Sequence, residues 1–172
     1  QPDRTAEVID KDGNFHTGDI GEFDAEGFLR ITDRKKEMFK TSGGKYVAPQ
    51  LLENRLKQSR FIEQVMVVGE GEKMPAALIQ PNFEFLFEWA KRHDMDLGGY
   101  GEAVVNSEVV ERFEKEVEEA NAQFAKWEKV KQFRLTPDIW SVDDGHLTPT
   151  MKLKRKVIKE KYLELYNDIY GH

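Results

Sequence analysis

The 172 residues include 39% hydrophobic and 34% charged side chains, and 26 basic against 32 acidic residues leave a formal net charge of −6. This is the make-up of a soluble globular chain able to bury a core of one ordinary domain plus an extra piece, and its acidic excess argues against a surface that tracks nucleic-acid phosphates. The absence of Cys removes disulfides, thiolate metal sites and cysteine nucleophiles and is compatible with a reducing compartment, and no apolar run approaches the ~20 residues of a membrane-crossing helix. The N-terminus, Gln1-Pro2-Asp3-Arg4, has no signal-peptide shape.

In chain order, residues 1 to about 35 read as a strand pair: Phe15 and His16 lead to Thr17-Gly18-Asp19, Asp24-Ala25-Glu26-Gly27 is a turn, and Phe28-Leu29-Arg30-Ile31 resumes an extended segment. From Lys36 a self-contained α+β unit can be drawn. Met38 to Thr41 and Lys45 to Val47 flank a Ser42-Gly43-Gly44 turn as a hairpin. Pro49 suits a first helical turn, and Leu52 with Leu56 supplies an i, i+4 buried pair. Val65 to Val68 reads as a strand apolar on both faces, Gly69-Glu70-Gly71 breaks it, and Ala76 to Ile79 is its antiparallel partner. Asn82 is a candidate cap for a helix with Phe83, Leu86, Phe87 and Ala90 on one stripe. Met95 to Asn106 reads as a loop, and Val109, Phe113, Val117, Ala120 and Phe124 predict a long amphipathic helix over about 107–126 with a charged outer face. Lys131 to Leu135 is a short strand, Asp143-Asp144-Gly145 a turn, and Ile158, Tyr162, Leu165 and Ile169 line one final helix. No internal repeat or low-complexity segment is present.

The chemistry concentrates in His16-Thr17-Gly18-Asp19, Asp33-Arg34-Lys35-Lys36-Glu37 and Lys40-Thr41-Ser42-Gly43-Gly44-Lys45-Tyr46-Val47. A carboxylate at a strand end, such as Asp19, can accept from two neighbouring hydroxyls like those of a ribose, and Arg34 can clamp the ligand from the other side. Gly43-Gly44 allows φ > 0 and close approach of the backbone, and Lys45 supplies a point charge suited to phosphate. Alone, each has an ordinary structural reading: a turn aspartate, a solvated linker, a tight turn.

Taken together, the wording from Ile31 to Gln50 resembles the C-terminal part of the AMP-forming acyl-CoA synthetases, adenylate-forming enzymes that include firefly luciferase and the adenylation domains of peptide synthetases. The long-chain fatty acid branch is the most similar. A second block about a hundred residues on, Leu147-Thr148-Pro149-Thr150-Met151-Lys152-Leu153-Lys154-Arg155, resembles that branch's terminal lysine motif. The resemblance implies a small C-terminal lid domain over 36–172, an antiparallel sheet flanked by helices plus a β-hairpin. Residues 1–35 would be the end of a large nucleotide-binding domain whose remaining strands would cover the hairpin's apolar side. The lack of an initiator Met, with first residues that resemble the middle of that domain, suggests an excised fragment, inactive alone.

The same resemblance implies the site. Asp19 would bind the ribose of ATP and acyl-adenylate, Arg34 the ribose and phosphate region, and Lys36 would be the hinge. Lys152 would be catalytic, entering the active site for adenylation and bridging substrate carboxylate and α-phosphate to stabilise charge; Lys40 would be catalytic on the face presented for thioester formation, Lys45 would bind near the nucleotide, and Gly43 and Gly44 would form the coenzyme A face, the first glycine letting the pantetheine thiol pass. Many relatives carry Gly where Met151 precedes this lysine, and Lys154, Arg155 and Lys156 are rival cations; otherwise Lys152 to Lys156 reads as a basic edge strand. Fatty acid, ATP and coenzyme A are the implied partners, and magnesium is expected in the upstream domain. A cytoplasmic location is expected, with peripheral membrane contact left open. The alternatives are an adenylating enzyme that loads a carrier protein and a non-catalytic interaction module built on the acidic helix. The four histidines share no metal-ligand spacing, and only His16 is placed near the nucleotide.

Overall fold

The computed structural model describes residues 3, 5, 8–34 and 37–172, with the main chain alone for 30–34. Lys36, the expected hinge, lies outside the described residues, as does the side chain of Arg34. The strand pair forms as expected: β1 (Asp19–Phe23) and β2 (Leu29–Arg34) are antiparallel around the Asp24–Gly27 turn, where Asp24 Oδ1 accepts from the Glu26 and Phe28 amides. Phe23, Phe28 and Leu29 project from it largely exposed.

The second hairpin, β3 (Phe39–Lys40) and β4 (Tyr46–Val47), leads through Ala48 into α1 (Pro49–Leu56), with Pro in the first turn where its missing N–H costs nothing. A three-stranded sheet follows in the order β5–β6–β7, from β5 (Ile62–Val68), β6 (Ala76–Pro81) and β7 (Gln132–Leu135). All six residues of β6 are buried, as a central strand covered on both faces requires. β7 joins β6 in parallel, so the sheet is mixed. Asn82 caps α2 (Phe83–Arg92) by accepting from the Phe85 amide at 3.0 Å. Asn106 caps α4 (Ser107–Asn121) the same way, through the Glu108 and Val109 amides.

Alternation along the strands divides the interior in two. Val65, Val67, Ala77, Ile79 and Leu135 pack with Phe39, Val47, α1, α2 and α4, where Phe113 is fully buried. Met66, Val68, Ala76 and Leu78 pack on the other face with Trp140, Leu147, Ile158, Tyr162, Tyr166 and Ile169. Each fully buried large side chain contributes about 1.5–3 kcal/mol by leaving water.

Four local expectations are corrected. The 95–106 loop contains a single helical turn, α3 (Tyr100–Ala103), held by Glu102, whose carboxylate accepts from the Gly99 amide. Helix α4 stops at Asn121, short of 126, because the Asn121 amide pairs with both the N–H and the C=O of Val130 and turns the chain toward β7. The final helix is two, α5 (Arg155–Lys161) and α6 (Leu163–Tyr170), broken at Tyr162, whose φ and ψ of −105° and 33° leave the helical region. Tyr162 OH donates to Asp138 and accepts from Trp140 Nε1, and this buried network fixes the break. Finally, 152–156 is no edge strand: only Leu153 bridges, to Leu147, and Arg155 already opens α5. Among the described residues no helix is long and apolar enough to cross a membrane.

Candidate functional site

Asp19 sits at the open end of the first hairpin, directly across from Arg34, after Gly18 at φ 80°. Its amide donates to Thr17 Oγ1, so the carboxylate starts the strand on an exposed corner. His16, two residues before Gly18, faces Asp10 at 3.1 Å. Asp10 also accepts from Asn14, chiefly through its amide, which holds its carboxyl down at about 2.

The Ser42-Gly43-Gly44-Lys45 turn is closed by Thr41, which accepts from the Gly44 amide and donates its own N–H to Lys45 O. Gly44 has φ 78°, a conformation that glycine adopts at little cost. Two main-chain bonds seat the hairpin on the β5–β6 loop: Ser42 N to Glu72 O at 2.8 Å and Gly71 N to Lys40 O at 2.9 Å. That loop needs Gly69, at φ 140°, because a Cβ there would stand 2.8 Å from Met74 O and 3.2 Å from the Phe39 ring. Lys40 lies over the exposed Tyr46 ring at 5.6 Å and Lys45 over Trp127 at 5.2 Å. The turn thus presents two cations and two half-open aromatic faces around a bare stretch of backbone.

Lys152 ends a second turn, 148–152. Thr148 donates its N–H to Lys152 O, its hydroxyl accepts from the Lys152 amide, and its C=O accepts from the Met151 amide. Met151 has φ 60°, the left-handed conformation that a glycine would take without strain. Of the neighbouring cations, Lys156 lies 3.9 Å from Glu160 on the outside of α5, and Arg155 is drawn inward. Lys152 lines an open groove of about 250 Å³ on the free edge of β5, between the turn and α1. Gln64 and Val65, at the start of β5, lie in that groove, whereas the glycine turn hangs from the loop at its far end. Four residues of strand, roughly 13 Å at about 3.3 Å per residue, separate Gln64 from Val68. The two turns also root in different compartments, Phe39 and Val47 in one and Leu147 with Leu153 in the other.

One group the sequence reading passed over is Glu53. It is 6% exposed, and burial pushes its carboxyl up to about 7 against the pull of Arg155. Its Oε1 accepts from the Val67 amide at 2.8 Å, and both oxygens accept from Arg155 Nη2 at 2.8 Å. The signal was available: Pro49, Leu52, Glu53 and Leu56 form the buried stripe of α1, so an acid stands in an apolar i, i+3, i+4, i+7 pattern.

His146 is buried beneath the lysine turn, where desolvation and then Lys161 hold its imidazole below its usual range. His93 contacts Trp89 O and His172 contacts Glu72. Among the described residues no three His, Asp or Glu side chains gather to hold a metal ion.

The family model described as the AMP-binding enzyme C-terminal domain matches residues 37–172. A long-chain-fatty-acid–CoA ligase of Mycobacterium tuberculosis is 39% identical over 161 residues, covering 93% of this chain and 27% of that protein. Long-chain-fatty-acid–CoA ligase 1 of Homo sapiens is 37% identical over 177 residues, covering 99% of this chain and 25% of that protein. Among solved structures, the adenylation domain of a carboxylate reductase from Mycobacterium chelonae superposes with a TM-score of 0.78 at 25% identity, over 99% of this chain and 25% of that one. The chain therefore spans about a quarter of the length of the curated relatives it matches.

Proposed function

This chain belongs to the AMP-binding enzyme C-terminal domain family, and on that footing we propose that it is the mobile lid of a long-chain fatty acid–CoA ligase, joined at 36 to the end of a larger nucleotide-binding domain. The observation that carries the assignment of substrate class is the likeness, at 39% and 37% identity across nearly the whole chain, to ligases named for long-chain fatty acids.

In the first half-reaction a carboxylate oxygen of the fatty acid attacks the α-phosphorus of ATP and pyrophosphate leaves. Lys152 supplies a cation to the charge that gathers on the carboxylate and α-phosphate, and Asp19 accepts from the ribose hydroxyls while Arg34 holds the ribose and phosphate side. The lid then turns about Lys36 and the other turn faces the pocket. There Gly43 and Gly44 leave room for the pantetheine arm, Lys40 faces the reacting groups, Lys45 stands near the nucleotide, and the thiol of coenzyme A attacks the acyl carbonyl to release AMP. Rooting the two turns in opposite compartments of one sheet suits such alternation, since a rigid-body turn exchanges one for the other without unfolding either. Magnesium, in this reading, is held by the upstream domain, and the enzyme works in the cytoplasm.

ATP–pyrophosphate exchange in the full-length ligase tests the assignment. Lys152→Ala should lose exchange, whereas Lys36→Pro, frozen before thiolysis, should keep exchange and lose acyl-CoA synthesis. Normal exchange in Lys152→Ala removes that lysine from the mechanism. The likeness to a carboxylate reductase adenylation domain favours a second reading, a lid that serves a carrier-protein thiol. Loading of a phosphopantetheinyl carrier with no turnover of free coenzyme A would select it. Helix α4 spends its inner face, Val109, Phe113, Val117 and Ala120, on the core, so an interaction module would have its charged outer face to offer.

A further inference from the structure

The Glu53–Arg155 pair is an odd use of charge. Arg155 is the first residue of α5, where a cation opposes the helix dipole, and that helix has neither an acid in its first turn nor a side-chain cap from Lys154. Glu53 lies in the apolar stripe of α1. Neither residue is where helix preference would put it, and an ion pair with a buried acid at one end is no dependable source of stability, because desolvation of that acid offsets much of the attraction. What a guanidinium held by two carboxylate oxygens does supply is orientation.

The pair is also where four segments meet. The outward amide of Val67 on the free edge of β5 donates to Glu53, and the Val67 carbonyl accepts from Arg155 Nη1 at 3.2 Å. Arg155 Nε stands 3.8 Å from Glu37, next after the expected hinge position, and Glu37 in turn accepts from Gln50 of α1 at 2.6 Å. Lys152 is three residues before Arg155, joined to it by Leu153, which bridges to Leu147, and both line the same groove.

We propose that Glu53 and Arg155 are positioning residues for adenylation: their half-buried fork rivets the 148–152 turn to α1 and to the edge of β5, and so fixes where Lys152 reaches when the lid is in its adenylating position. The proposal rests on the reading of Lys152 above. A displacement of about 1 Å at a charge-stabilising group can cost about 100-fold in rate, which is the scale of effect a loosened rivet should produce. The glycine turn hangs from the β5–β6 loop by main-chain bonds of its own, in which neither Glu53 nor Arg155 takes part.

The test separates the half-reactions in the full-length ligase, with palmitate as the acid. ATP–pyrophosphate exchange reports adenylation, and palmitoyl-CoA formation from supplied palmitoyl-AMP and coenzyme A reports the second step. Arg155→Met and the near-isosteric Glu53→Gln should each lower exchange by about 100-fold and change the second step by less than about threefold. Arg155→Lys, which keeps the charge but lacks the planar fork, should remain at least about tenfold down in exchange. Equal losses in both steps would mean that the pair merely holds the lid together, and wild-type exchange in Glu53→Gln or Arg155→Lys would mean that the fork positions nothing; either overturns the proposal. Lys152→Ala, run alongside, keeps the two ideas apart: full exchange there defeats the adenylation reading, whereas lost exchange there with unchanged Glu53→Gln defeats the rivet alone.

Discussion

The glycine turn and the lysine turn each hold a lysine out from the same sheet, yet they are fastened by different physics. The first is tied by neutral main-chain bonds, Ser42 to Glu72 and Gly71 to Lys40, and depends on glycine at 69 for its close seat. The second is tied through a buried acid and a guanidinium, and it bends at Met151 in a conformation that its side chain disfavours. Main-chain anchoring is insensitive to pH and salt but intolerant of a Cβ in the wrong place. Ionic anchoring tolerates small changes of shape but responds to protonation and to loss of the fork. Under the proposed alternation, each face of the lid is open to a different kind of insult.

Three changes set the two fastenings against each other. The largest effect is expected from Gly69→Ala, which forces a side chain into a φ of 140° and against Met74 O. It should cost about 2–3 kcal/mol in thermal unfolding and lower thioester formation more than pyrophosphate exchange. Equal damage to both steps would show that the hairpin seat is shared by the two faces.

Next is pH. Glu53 titrates near 4.5 when unfolded and at about 7 when folded, so the folded lid holds the extra proton between those values and loses stability as pH rises through that window. His146 works in the opposite sense, since its imidazole is held below 6.5 and its contribution is lost as pH falls. Comparing wild type with Glu53→Gln isolates the first: the melting temperature of wild type should fall relative to the variant between about pH 5 and about pH 8, by the equivalent of roughly 1 kcal/mol or more. Parallel curves would mean that Glu53 is ionised throughout.

The smallest is a gain. Met151→Gly removes a left-handed non-glycine residue, and although it loosens the unfolded chain it should stabilise the lid by up to about 1 kcal/mol without lowering exchange. A loss of stability would show that the Met151 side chain, exposed as it is, packs in a way that offsets the strain.

Much of this was legible in the sequence because the deciding forces are local. Pro49 with Leu52 and Leu56 marks α1, Asn82 marks the start of α2, and a run of Val65 to Val68 broken by Gly69 can hardly be other than a buried strand meeting a tight turn. The two turns could be found from their wording alone. What escaped has non-local causes. The parallel entry of β7 depends on the whole α2–α4 excursion, which carries the chain from the Pro81 end of β6 back to its Ala76 end. The break at Tyr162 answers to Asp138 and Trp140, two dozen residues upstream. Glu53 was hidden because its partner lies about a hundred positions away, and a lone acid in a helical stripe looks like an exception until that partner is in view.

The sheet that separates the compartments carries one more implication, set by parity. In β5 and β6 the odd positions 65, 67, 77 and 79 face the packing that carries the hairpin, and the even positions 66, 68, 76 and 78 face the packing under the lysine. Adjacent positions of one strand therefore back two different turns. Substitutions at Val67 and at Met66 would be felt first in different packings, although the bonds from Glu53 and Arg155 to the Val67 main chain still tie the lysine turn to the hairpin's side of the sheet.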